Sequence, residues 1–177
     1  EETEQVSKRA VIDAVNDQKA AVRFFNKDYE SNNKYRINPN QIYLGRYSAG
    51  AVSSLHYAYA HTPADVLAMG GEELLEYVVE NGGLEGESGN SGYSSKIKGV
   101  INIAGSIHST YLIDANEPII ISVHGDQDIV VPYLSGTTGE TDVVTEGSGL
   151  IHQKADEIGL TNELITLNVW CFVHIVQ

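Results

Sequence analysis

The sequence predicts an α/β fold of the α/β-hydrolase type: a mostly parallel, partial sheet of about four strands flanked by helices. Three observations carry this expectation. Short apolar runs at residues 41–47, 97–104, 118–124 and 163–173 are separated by helical stretches. The runs are continuously apolar rather than alternating, which is how a parallel sheet covered on both faces reads. The chain has 177 residues, 42% of them hydrophobic, which suits one domain over 1–177 with a single sizeable core.

From Thr3 to about Lys27 the pattern is helical, with Val11, Val15, Val22 and Phe25 on one stripe and charged residues on the other faces. Asn32-Asn33 and Asn38-Pro39-Asn40 break this helix. Residues 41–47 read as a short buried strand, followed at once by Ser48-Ala49-Gly50-Ala51 and a helix to about His61, where Pro63 ends the helical region. A further helix is expected from Glu72 to about Asn81, closed by Gly82-Gly83, and then a Gly/Ser-rich surface loop to residue 95. Strands at 97–104 and 118–124 come next. A Gly/Thr-rich loop over 135–149 leads into a helix from about Leu150 to Ile158, capped by Gly159, and residues 163–173 form a last strand.

Composition excludes several functions. The formal charge is −13, from 24 acidic and 11 basic residues, and the basic ones are scattered, so the chain repels phosphate backbones and no nucleic-acid partner is expected. No stretch approaches the roughly 18 to 20 apolar residues that span a bilayer. The N-terminus, Glu1-Glu2-Thr3-Glu4, is the opposite of a signal peptide. A signal removed by processing would leave the same start, so cytoplasmic and secreted locations both fit. Cys171 stands alone in an apolar run, so no intrachain disulfide forms and a packed core role is expected. Histidines 56, 61, 108, 124, 152 and 174 show no metal-ligand spacing, and no metal or organic cofactor is expected.

Two turns carry chemistry. In Gly45-Arg46-Tyr47-Ser48-Ala49-Gly50, a buried strand turns directly into an apolar helix through small residues. Such a turn can hold one serine in a strained bend with its oxygen exposed, and the next backbone N–H, that of Ala49, then points at a developing oxyanion. An ordinary βα turn would use a serine in the same way. The second turn, His124-Gly125-Asp126-Gln127-Asp128-Ile129-Val130-Val131-Pro132, follows the strand at 118–124. An aspartate there lies on the same sheet edge as Ser48 and can orient a histidine, or it can simply cap the turn. His124 is expected to tie the loop through its ring nitrogens.

Together these turns resemble those of bacterial α/β-hydrolase-fold carboxylesterases, the broad group with lipase-like and feruloyl-esterase-like relatives. Residues 38–60 look like the nucleophile strand, elbow and helix of that group, and residues 124–133 resemble its His-Gly-x-x-Asp-x-x-Val-Pro acid loop. Residues 84–95 are similar to a segment of some bacterial members. The resemblance implies Ser48 as nucleophile, Asp128 as acid, His174 after the last strand as general base, and Ala49 as an oxyanion donor. It also implies a small-molecule carboxylic ester as substrate, and it leaves Asp126 outside the triad.

The chain departs from the group's pattern in three places. Arg46 stands where the first glycine of Gly-x-Ser-x-Gly belongs. Bulky apolar residues precede His174. The group's strands before the nucleophile strand, its second oxyanion donor and its closing helix have no counterpart. The expectation is therefore the C-terminal catalytic half of such an esterase, with weak activity. Its nucleophile strand would become a sheet edge, covered by a second copy or another chain. The alternative is a catalytically impaired chain that serves as a binding or assembly module.

Overall fold

The computed structural model describes residues 2–139, 141 and 143–168. A four-stranded sheet forms its framework: β1 (Tyr43–Tyr47), β2 (Gly99–Ile103), β4 (Ile119–Gly125) and β7 (Asn162–Leu167), in the order β1-β2-β4-β7. Every pairing is parallel, with Leu44 opposite Val100, Val100 opposite Ile120 and Ile120 opposite Asn162. These are the four strands the sequence predicts, with β1 at an edge. A small antiparallel sheet, order β3-β6-β5, forms from β3 (Ser106–Ile107), β5 (Ser135–Thr137) and β6 (Val144–Gly147). It occupies part of the region expected to be loop, where short strands rich in Ser, Gly and Thr carry no apolar signal.

The helices are α1 (Glu2–Ser31), α2 (Ala49–Tyr59), α3 (Pro63–Glu80) and α4 (Ser148–Ile158). Pro63 starts α3 rather than ending a helical region. Thr62 is its N-cap, with a reciprocal capping box to Asp65, and a proline at the first turn forfeits no helical hydrogen bond. Gly71 (φ 68°, ψ −165°) interrupts α3, which explains why the sequence pattern shows only its second half. Gly159 ends α4 in the left-handed conformation, as expected.

Leu55, Leu74, Val100, Ile107, Ile120 and Ile151 are fully or almost fully buried in one core. Each is worth about 1.5–3 kcal/mol in apolar transfer. Val15 and Val22 of α1 pack with Tyr57 in a second cluster. The expectation that charges on α1 face solvent fails for Lys19 and Arg23. Both are buried, donating to backbone carbonyls of the 82–95 loop: Lys19 to Leu84, and Arg23 to Glu85 (2.7 Å) and Gly89 (2.9 Å). A long cationic side chain can thus satisfy a loop backbone that has no ladder partner.

The expectation of a sheet covered on both faces also changes. Val100, Asn102, Ile120, Ser122 and His124 point into the packed side and are buried. On the opposite face Tyr43, Ile101 and Ile165 are exposed, and Ile119, Ile121 and Val123 are half-buried. The predicted buried strand at 41–47 is mostly exposed. Among the described residues, no helix is long and apolar enough to cross a membrane. The continuation of the last strand to Val173, with Cys171, and His174 lie outside the described residues.

Candidate functional site

Ser48 sits between β1 and α2. Its N–H donates to Ile103 O (2.9 Å), and its own carbonyl accepts from Ala51 N (2.8 Å) and Val52 N (3.0 Å). The end of β1 is thereby tied to β2 while the next residue is already helical. The junction forces Ser48 to φ 52°, ψ −127°, a region costing a side-chain-bearing residue about 1–3 kcal/mol. Its hydroxyl does not cap the helix. Ala49 is the first residue of α2, in the turn whose N–H groups lack intrahelical acceptors.

Arg46 is accommodated by Gly50. A Cβ at Gly50 would lie 3.3 Å from Arg46 Cβ and 3.5 Å from its Cδ, so the arginine stem occupies the space a side chain at position 50 would need. The small residue that lets strand and helix approach is kept, on the helix side of the serine.

In the acid loop, Asp128 Oδ1 accepts from Val130 N (2.8 Å) and Val131 N (3.0 Å), and the side chain is 2% exposed. Asp128 therefore does cap its turn. Its Oδ2, not used by those amides, lies 3.9 Å from His124 Nε2. Asp126 is exposed, and its Oδ2 accepts from Asn168 Nδ2 (3.2 Å) at the end of β7. His124 is fully buried between Ser148 Oγ (2.8 Å from Nδ1) and Val131 O (3.1 Å from Nε2), so it ties the loop as expected, and burial pushes its pKa down.

The other described histidines are engaged. His56 donates from Nδ1 to Val52 O (2.8 Å) and accepts His108 N–H at Nε2 (3.1 Å), and burial holds its pKa down at about 4. His152 is bonded to Asn162 and Ser122. His61 is half-exposed, 3.4 Å from Glu117.

A cavity of about 340 Å³ opens beside Ser48 and Ala49. Val130 and Val131 of the acid loop form one wall, Val52 and Met69 another, and Val11 of α1 and Val143 close it. The structure thus brings Ser48, Ala49 and the loop of Asp128 to one cavity. The α1 and β5–β6 walls were not legible in the sequence, because each comes from a segment distant in the chain and carries no motif.

The sequence matches no protein-family model and no curated protein. The fold, however, is similar to those of solved esterases. A thermophilic esterase from the Planctomycetes species Thermogutta terrifontis, with propionate bound, aligns with a TM-score of 0.63 at 18% identity, over 92% of this chain and 56% of its own. The same enzyme, Thermogutta terrifontis esterase 2, phosphorylated by paraoxon gives 0.60 at 18% identity, over 92% and 54%. A truncated form of a carbohydrate esterase from gut microbiota gives 0.56 at 19% identity, over 86% and 58%. The chain spans a little over half the length of these esterases, and over that span it has their α/β fold.

Proposed function

We propose that the protein is a serine hydrolase of carboxylic esters working through an acyl-enzyme on Ser48. The observation that carries the reading is a serine held at φ 52°, ψ −127° on a strand-to-helix turn at the lip of an apolar cavity. Strain of this kind at a non-glycine residue is characteristic of functional positions. A solved esterase of the same fold, Thermogutta terrifontis esterase 2, seen both with propionate bound and phosphorylated by paraoxon, adds support.

In this reading Ser48 Oγ attacks the ester carbonyl and its proton passes to His174. The Ala49 N–H stabilises the oxyanion, and the alcohol leaves with the proton from His174. Water then releases the acid by the same route. Asp128 orients His174 through Oδ2. The chain reaches Asn168 beside Asp126, and the six residues from there to His174 can span up to about 20 Å. The cavity suits an uncharged apolar acyl group: it has about twice the roughly 150 Å³ of a cavity that takes benzene.

Among the described residues β1 lies at the sheet edge, and this position together with the exposed Tyr43, Ile101 and Ile165 favours a second reading, an assembly module whose sheet surface docks a second copy or another chain. A fluorophosphonate probe separates the two. Stoichiometric labelling of the chain, lost in Ser48→Ala, supports the hydrolase; an unlabelled folded chain supports the module.

A further inference from the structure

Beneath the acid loop lies a run of buried polar side chains that the cavity does not include. β4 places Ser122 and His124 on one side, two residues apart, and α4 places Ser148 and His152 on one face, four apart. The pairs meet crosswise. Ser148 Oγ lies 2.8 Å from His124 Nδ1, and Ser122 Oγ lies 2.7 Å from His152 Nε2. Asn102 of β2 sits between them and donates from Nδ2 to Ser122 Oγ (2.9 Å) and Ser148 Oγ (3.0 Å). All five residues are at most 4% exposed.

Groups whose donor or acceptor role is fixed by chemistry set every proton in this run. Asn102 Oδ1 accepts the Gly105 N–H (3.0 Å), which orients the amide. Val131 O can only accept, so His124 carries its proton on Nε2 and its Nδ1 takes the hydroxyl proton of Ser148. At the far end Asn162 Nδ2 donates to Leu160 O (3.0 Å) and Asp156 Oδ1 (2.8 Å), so Asn162 Oδ1 faces His152 Nδ1 as an acceptor (2.5 Å). His152 therefore carries its proton on Nδ1, and its Nε2 accepts from Ser122. Burial lowers the pKa of both rings, which favours their neutral forms.

We propose that Asn102, Ser122, His124, Ser148 and His152 form a proton-ordered clamp that holds the acid loop, with His124 as the positioning residue. The clamp grips Val131 O, three residues from Asp128, whose Oδ1 binds the Val131 N–H. It thereby sets the direction of the Asp128 carboxylate. The positioning role rests on Asp128 being the acid of the proposed hydrolase. The clamp itself does not.

The test is long-range ¹H–¹⁵N NMR of the histidine rings in the unmodified protein at neutral pH, paired with Ser148→Ala. The clamp requires opposite neutral tautomers, Nε2–H on His124 and Nδ1–H on His152. Ser148→Ala should speed amide exchange at Val130 and Val131. It should also lower kcat about 10- to 100-fold with KM nearly unchanged, the size expected when a catalytic group is misplaced by about 1 Å, and Ser148→Thr should restore much of the rate. Equal tautomers, a cationic His124, or unchanged exchange at Val130 and Val131 would overturn the clamp. If the tautomers and exchange follow the clamp while fluorophosphonate fails to label Ser48, the hydrolase reading falls and the clamp stands. The tautomers are read without any substitution, so the outcome does not depend on a variant folding.

Discussion

The backbone of Ser48 makes a stability prediction that is independent of substrate. At φ 52°, ψ −127° a Cβ costs about 1–3 kcal/mol, whereas glycine adopts this conformation freely. Ser48→Gly should therefore release that strain. The substitution also gives the unfolded chain more freedom, which costs roughly 0.5–1 kcal/mol. No capping hydrogen bond is lost, because the Ser48 hydroxyl makes none to the helix. Ser48→Ala keeps the Cβ and hence the strain. The glycine variant should exceed the alanine variant by about 0.5–2 kcal/mol, or roughly 1 to 8 °C in Tm for a chain of this size. Differential scanning calorimetry and urea titration of both variants, with matching m-values, measure the difference. An alanine variant as stable as the glycine variant, or more so, would refute the claim that the elbow stores backbone strain.

Other expectations follow from the same geometry. Under the proposed mechanism Asp128→Asn should lower ester turnover by about 10⁴-fold while Asp126→Asn stays near the parent rate, and, if His174 is the general base, the parent rate should rise with pH through about 6.5–7.5; equal losses at both aspartates would reverse the assignment of the acid. Burial lowers the pKa of His56 to about 4 and also lowers those of His108, His124 and His152. Their unfolded forms take up protons first as pH falls below about 6.5, so stability is full above that pH and declines toward 4, by roughly 3 kcal/mol for His56 alone. Glu117, raised by burial to about 7, works in the opposite direction, so a urea midpoint that rises steadily on acidification would show that it dominates. Gly147→Ala would set a Cβ 1.7 Å from Pro132 O, prying the acid loop from the start of α4; a loss of roughly 1–3 kcal/mol is expected, and an unchanged urea midpoint would contradict the close approach.

Some of this site was readable from local chemistry. A strand meeting a helix through Ser48-Ala49-Gly50 leaves few backbone solutions, and an aspartate three residues before Val131 can cap its turn wherever that turn lies. The pairing of Arg46 with Gly50 was not readable, because the sequence shows a missing glycine but not which neighbour makes room. Nor was the clamp. Ser122-x-His124 and Ser148-x-x-x-His152 have the spacings of one strand face and one helix face, yet 26 residues separate the two serines, and only packing α4 on β4 makes them partners.

By itself the sequence determined the four strands and their order along the chain, the sharp strand-to-helix turn at Ser48 and the turn capped by Asp128. Each strand, turn and cap is marked by residues within about ten positions of one another, where apolar runs, turn residues and caps leave a local signature. The sequence also anticipated that β1 lies at a sheet edge. Tertiary structure alone decided that α1 buries Lys19 and Arg23 against a loop some 65 residues away, and that α1, α2, α3 and the 124–133 loop line one cavity. The physical reason is that burial belongs to a residue's surroundings and not to its type: the same lysine, histidine or isoleucine is solvated or enclosed according to what the rest of the chain brings against it.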